Sequence, residues 1–148
     1  MLTPRSNSWL IPGRLSTAVI AVGTLPIPAG GTSTVLEYTV PQGLRFTLRG
    51  VVVSVVDPSN TWVQGSGSLL FQLLCVGTGG TRVVENFEAV ITPRGSSVVP
   101  YPVLGRCEFI ETDLLRWTVT ASGVVTPGLP QLAICHLLGW TYPISDCE

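Results

Sequence analysis

The chain has 148 residues, room for one domain of ordinary size and not for two. It is 45% hydrophobic and only 11% charged, with a net charge of −1, so Thr, Ser, Gly and Gln finish much of its surface and self-repulsion is weak, the condition under which subunits associate. All of its basic residues are arginines (Arg5, Arg14, Arg45, Arg49, Arg82, Arg94, Arg106 and Arg116), and their scatter along the chain excludes the clustered basic footprint of a nucleic-acid binder.

Residues 1–31 carry Trp9, Leu10 and Ile11 among Pro4, Pro12, Gly13, Pro26, Pro28, Gly30 and Gly31, an apolar but broken stretch. It reads as an extended N-terminal arm or irregular first strand, with Thr17–Val22 the part suited to a strand, ahead of a sandwich domain over residues 32–148. Leu15–Val22 is short, interrupted by Ser16 and Thr17 and preceded by Pro and Gly. It suits neither an export signal nor a membrane span, and synthesis and use without export are expected.

Between the prolines and glycines the chain is rich in valine and threonine, which fit a pleated surface. No window holds a capped helical stripe. The clearest element runs from Ser33 to Arg49, where Val40-Pro41-Gln42-Gly43 offers a turn started by the fixed φ of Pro41 and closed by a left-handed Gly43. Read as a hairpin, it pairs Val40 with Leu44, Tyr38 with Phe46 and Leu36 with Leu48 on one face. Glu37, Thr39, Arg45, Thr47 and Arg49 then fall on the other, with Glu37 diagonal to both arginines. Past Gly50 the apolar parity changes to Val51, Val53 and Val55, which predicts a bulge or bend at Gly50.

Further strands are expected at Ser68–Val76, Arg82–Ile91, Ser97–Leu104, Cys107–Glu111, Leu114–Ala121 and Gln131–Trp140. Turns are read at Asp57–Asn60, Gly77–Gly80, Thr92–Gly95 and Thr126–Gly128. The last strand is apolar on both faces and belongs at the centre of a sheet. Some eight or nine short strands at this spacing make an all-β, antiparallel β-sandwich, jelly-roll-like in pattern.

Reactive groups form no constellation. His136 is the single histidine, too few for a cupin-type metal site or a hydrolytic triad with no G-x-S-x-G elbow, and it reads as a core or interface imidazole. Cys135 points to the opposite strand face, so the two make no dyad. Cys75, Cys107, Cys135 and Cys147 lack C-x-x-C spacing and read as small reduced hydrophobes, although an even count permits pairing in an oxidising compartment. Glu85 and Glu88 differ in parity, while Glu108, Glu111 and Asp113 sit at a strand break, so neither group forms a glycosidase pair. Gly77–Thr81 lacks lysine and a following helix and is a hairpin loop. No catalytic residue, metal or cofactor is therefore expected. Trp117 and Trp140 read as core, and Trp62, after Asp57-Pro58-Ser59-Asn60-Thr61, is the candidate loop aromatic for an interface or a sugar.

The run from Pro28 to Val55, with Tyr38-Thr39-Val40-Pro41-Gln42-Gly43 leading into Gly50-Val51-Val52-Val53, resembles the small β-sandwich capsid decoration, or cement, proteins of tailed bacteriophages. That resemblance implies a structural virion protein, commonly a homotrimer, on the outer surface of a capsid at junctions between major capsid subunits. It further implies an N-terminal arm contacting the shell through Arg5, Trp9, Leu10, Ile11 and Arg14, with no nucleic acid and no membrane among its partners. The alternative is a carbohydrate-binding or receptor-binding module of a phage tail or fibre, using Trp62 and nearby loops.

Overall fold

The computed structural model describes residues 16–27, 30–56, 68–90, 97–102, 108–122 and 132–144. Among the described residues nine strands follow in chain order: β1 (Thr17–Pro26), β2 (Gly31–Thr39), β3 (Leu44–Val56), β4 (Ser68–Gly77), β5 (Gly80–Val90), β6 (Ser97–Pro102), β7 (Glu108–Phe109), β8 (Leu114–Ser122) and β9 (Leu132–Pro143). The first sheet has the order β1-β9-β3-β6 with β7 beside β3, and the second has the order β2-β8-β4-β5. Every pairing is antiparallel.

The pairings are nested: β4 with β5, β3 with β6, β2 with β8 and β1 with β9. A long two-stranded ribbon rolled on itself produces this nesting, and the further pairs β3–β9 and β4–β8 close the roll. The chain is thus an antiparallel β-sandwich of the jelly-roll kind. Of the first 31 residues, Thr17–Pro26 are its edge strand β1, longer than the Thr17–Val22 read from sequence.

Alternation sets the core. Leu69, Phe71, Leu73 and Cys75 of β4 lie beside Ala121, Val119, Trp117 and Leu115 of β8 on the inner side of the second sheet, and against them the first sheet turns Phe46, Leu48, Val51, Val53, Val55, Ala133, Cys135 and Leu137. The change of parity in β3 occurs where expected, as a register shift against β9 between Leu48 and Gly50. Strand β9 lies between β1 and β3, the central position its composition predicts.

The Ser33–Arg49 hairpin requires correction. Its turn forms, with Leu44 N–H donating to the Pro41 carbonyl at 3.2 Å and Gly43 at φ 80°, but β2 and β3 then enter different sheets. Tyr38 and Phe46 still meet, their ring centroids 5.2 Å apart, across the sandwich instead of along a ladder. Glu37 is correspondingly paired with Arg116 of β8 at 2.7 Å and not with Arg45 or Arg49, which belong to the other sheet.

The corner is held by the turn before β8. Thr112 N–H donates to the Val40 carbonyl and Val40 N–H to that of Asp113, both at 2.9 Å. Glu111 Oε2 accepts from Gly43 N–H at 2.7 Å, and Asp113 Oδ2 accepts from Ile110 N–H at 3.1 Å. These bonds hold Thr112 at φ 69°, a conformation that costs a β-branched residue about 1–2 kcal/mol.

Candidate interaction face

The two sheets present different outer faces. On the second sheet three outward polar pairs bond across the strands: Arg116 Nε donates to Glu37 Oε1 at 2.7 Å, Gln72 Nε2 to Asn86 Oδ1 at 3.0 Å, and the Thr32 and Thr120 hydroxyls bond at 2.8 Å, with the half-buried Leu70, Leu74, Val76 and Leu114 between them. Val83, 51% exposed, stands beside this polar net.

The first sheet is the reverse. With Val19, Ala21 and Leu25 of β1 packed inward, Ala18, Ile20, Val22 and Thr24 face out. Ile20 is 72% exposed and Val22 52%. Beside them in register lie Leu138, His136 and Ile134 of β9, then Val52 and Ser54 of β3. Leu132, Ile134, His136 and Leu138 are each partly exposed, and no charged side chain interrupts these rows among the described residues. Strand β9 is central within its sheet, with its inward residues Ala133, Cys135 and Leu137 fully enclosed and its outward Ile134, His136 and Leu138 half-buried.

Polar groups gather at one end of this face. The Arg49 guanidinium lies 6.0 Å from the centroid of the Trp140 ring. Tyr142 donates its hydroxyl proton to Glu108 Oε1 at 2.8 Å. Arg45 pairs in register with Tyr142, and Thr47 with Trp140; Arg45 Nε and Thr47 Oγ1 are buried without a hydrogen-bond partner. Trp140, read as core from sequence, thus stands partly exposed at the border of the apolar rows, because it shares the outward parity of Leu138. Trp117 is fully enclosed as expected.

His136 is not in the core: it is half-buried on the outward side of β9 between Val22 and Val52, with Nδ1 buried and unpartnered. Cys135 faces the core on the other side of the strand, where burial pushes its thiol up to about 12. Cys75 is also a buried free thiol. Its pKa is raised by burial first and by the Asp113 carboxylate second, with Arg82 opposing. Burial likewise raises the Tyr38 phenol. The carboxylates at the strand break serve the fold, Glu111 and Asp113 capping turns and Glu108 holding Tyr142. No set of metal-ligating side chains converges among the described residues.

Arg5, Trp9, Leu10, Ile11, Arg14 and Trp62 all lie outside the described residues, as do Cys107 and Cys147. The residues that sequence reasoning did not single out are Ile20, Val22, Ile134 and Leu138. Their signal was present, since the last strand is apolar at both parities and only one of the two can face the core.

No family model matches the sequence, and no curated protein matches it. Among solved structures, one of the infectious bursal disease virus Gx strain is similar over 86% of this chain and 34% of its own, with 17% identity and a TM-score of 0.47. A structure of Desmodium yellow mottle tymovirus is similar over 90% of this chain and 93% of its own, with 10% identity and a TM-score of 0.40. A carbohydrate-binding module from a family 9 glycoside hydrolase (Cel9A) of Ruminococcus flavefaciens FD-1 covers 80% of this chain and 98% of its own, with 10% identity and a TM-score of 0.38. This chain spans about a third of the length of the infectious bursal disease virus chains it matches. These are likenesses in the path of a two-sheet sandwich, to proteins of unlike function.

Proposed function

We propose that this chain is a structural virion protein, bound to the outer surface of a phage capsid at junctions between major capsid subunits, where it stabilises the shell without catalysis or cofactor. The observation that carries the reading is the outward side of the first sheet, where Ile20 and Val22 stand exposed beside the half-buried Ile134 and Leu138 and no charged side chain enters these rows among the described residues. Uncovered apolar rows on a chain with little charge belong to a surface shared with neighbours. Removing apolar area from water contributes about 25 cal/mol per Å², and many copies on one shell multiply a modest contact. In this reading Trp9, Leu10 and Ile11 anchor on the shell and Arg5 and Arg14 pair with carboxylates there. Among the described side chains no aromatic ring is more than partly exposed.

Electron cryomicroscopy of the native particle tests the proposal. Density for this chain is expected outside the shell at subunit junctions, and particles lacking it should rupture at lower temperature. Its absence from the particle rejects the reading. Titration with host polysaccharide should leave tryptophan fluorescence unchanged, and a saturable response would instead favour the sugar-binding module.

A further inference from the structure

We propose that the polar end of the first sheet's outward side, around Arg45 and Thr47, receives a carboxylate side chain of a shell subunit. The inference rests on the reading of the chain as a shell-binding protein and names the chemistry of one contact.

Register assembles the group. Strand β3 has β9 on one side and β7 on the other, which sets Tyr142 beside Arg45 and both Trp140 and Glu108 beside Thr47. The bond from the Tyr142 hydroxyl to Glu108 Oε1, 2.8 Å long, therefore joins the two neighbours of β3 across its outward side. Thr47 stands at the foot of this bridge, fully buried although it faces outward, with Arg45 about 7 Å away along the strand.

Two polar atoms at this place lack a partner. Thr47 Oγ1 and Arg45 Nε are both buried and neither has a hydrogen-bond partner. Valine has nearly the shape of threonine and would fill the position without the loss of an unpaired hydroxyl, so the threonine is favourable only where a group from outside completes it. The Arg45 Nε–H can only donate and the Thr47 hydroxyl can do so too, which makes the completing group an acceptor.

Charge selects the kind of acceptor. The Arg49 guanidinium, 6.0 Å from the centroid of the Trp140 ring, brings a second positive charge to the same end, whereas the Glu108 carboxylate already accepts from Tyr142. An anionic acceptor therefore outcompetes a neutral one, and a planar carboxylate matches the guanidinium fork. Arg45, Arg49, Glu108 and Trp140 are partly exposed, and a change of rotamer among them, common at binding surfaces, admits the ligand to the enclosed pair. The group adjoins the rows of Ile20, Val22, Ile134 and Leu138 that the functional reading turns to the shell, so one partner supplies both contacts.

NMR titration of the full chain with acetyl-Gly-Asp-Gly amide, and with its asparagine counterpart, tests the site. The aspartate peptide should shift the Arg45 Nε–H resonance saturably, with a dissociation constant in the millimolar range, and the asparagine peptide should not. Arg45→Gln and Thr47→Val should each weaken that binding at least about fivefold. Thr47→Val should also leave the melting temperature equal or higher, since it removes a buried hydroxyl with no partner. An Arg45 resonance that does not move, an equal response to inorganic phosphate, or binding indifferent to either substitution overturns the inference. So does a lower melting temperature for Thr47→Val, which would place the hydroxyl's partner inside the chain. Emptied particles separate this inference from the functional reading. Retention on them unchanged by Arg45→Gln and Thr47→Val rejects the site and spares the reading, whereas a chain that binds the peptide and no particle does the reverse.

Discussion

Enclosure changes the chemistry of individual side chains here more than any charge does. The Cys135 thiol, pushed from 9.0 to about 12 by burial, stays protonated in the folded chain while the same thiol ionises near 9 once unfolded. Its contribution to stability is therefore whole below about pH 9 and is lost as pH rises from there towards 12, because the unfolded state gains the thiolate. Cys75 acts in the same direction. Melting temperatures measured from pH 7 to 10.5 are expected to hold until about 9 and then fall, and both thiols should resist alkylation until the chain unfolds. Gly23 is constrained differently: a Cβ there would run into the Val35 carbonyl oxygen and the Leu36 Cβ, where β1 crosses the edge of β2. Gly23→Ala should cost about 1–3 kcal/mol in chemical denaturation, as overpacking does, whereas Trp117→Ala, at a fully enclosed position, should cost about 3–5 kcal/mol. The enclosure of Trp117 and the opposed directions of Cys135 and His136 were legible from strand parity. The exposure of Trp140 was not, because parity says which side a residue faces and not whether that side is covered.

At the scale of elements the corner between β2 and β3 is the instructive case. Two strands whose apolar residues alternate toward one core look alike in sequence whether they lie side by side in a sheet or face each other across the sandwich, since either arrangement brings Tyr38 to Phe46. What separates them is the polar partner of Glu37. A double-mutant cycle between Glu37 and Arg116 should give a coupling of about 0.2–1 kcal/mol, and a cycle between Glu37 and Arg45 none. Coupling to Arg45 would restore the hairpin. The turn itself was legible down to its left-handed glycine. Gly43→Ala should destabilise the corner by about 1 kcal/mol, seen as a lower denaturation midpoint with unchanged slope.

For the whole molecule, the nesting of strands predicts where it opens first. Amides of Cys135 and Leu137 in β9, and of Trp117 and Val119 in β8, lie in strands paired on both sides and should show the slowest hydrogen exchange, with the edge strands β1 and β5 exchanging earlier. Uniform protection across edges and centre would contradict that order. The sequence by itself determined a good deal: an all-β chain, nearly every strand to within a few residues, the break at Gly50 and the central place of β9. Those properties are local, set by β-branched residues, turn formers and period-two alternation, and each is written in a short window. Which strands pair, which sheet each enters and which apolar side turns to the core depend on contacts between residues far apart in the chain, such as Leu36 with Trp117 and Val22 with His136. Only the rolled ribbon decides these, because one alternating pattern satisfies many pairings and burial selects among them only when the whole core is assembled.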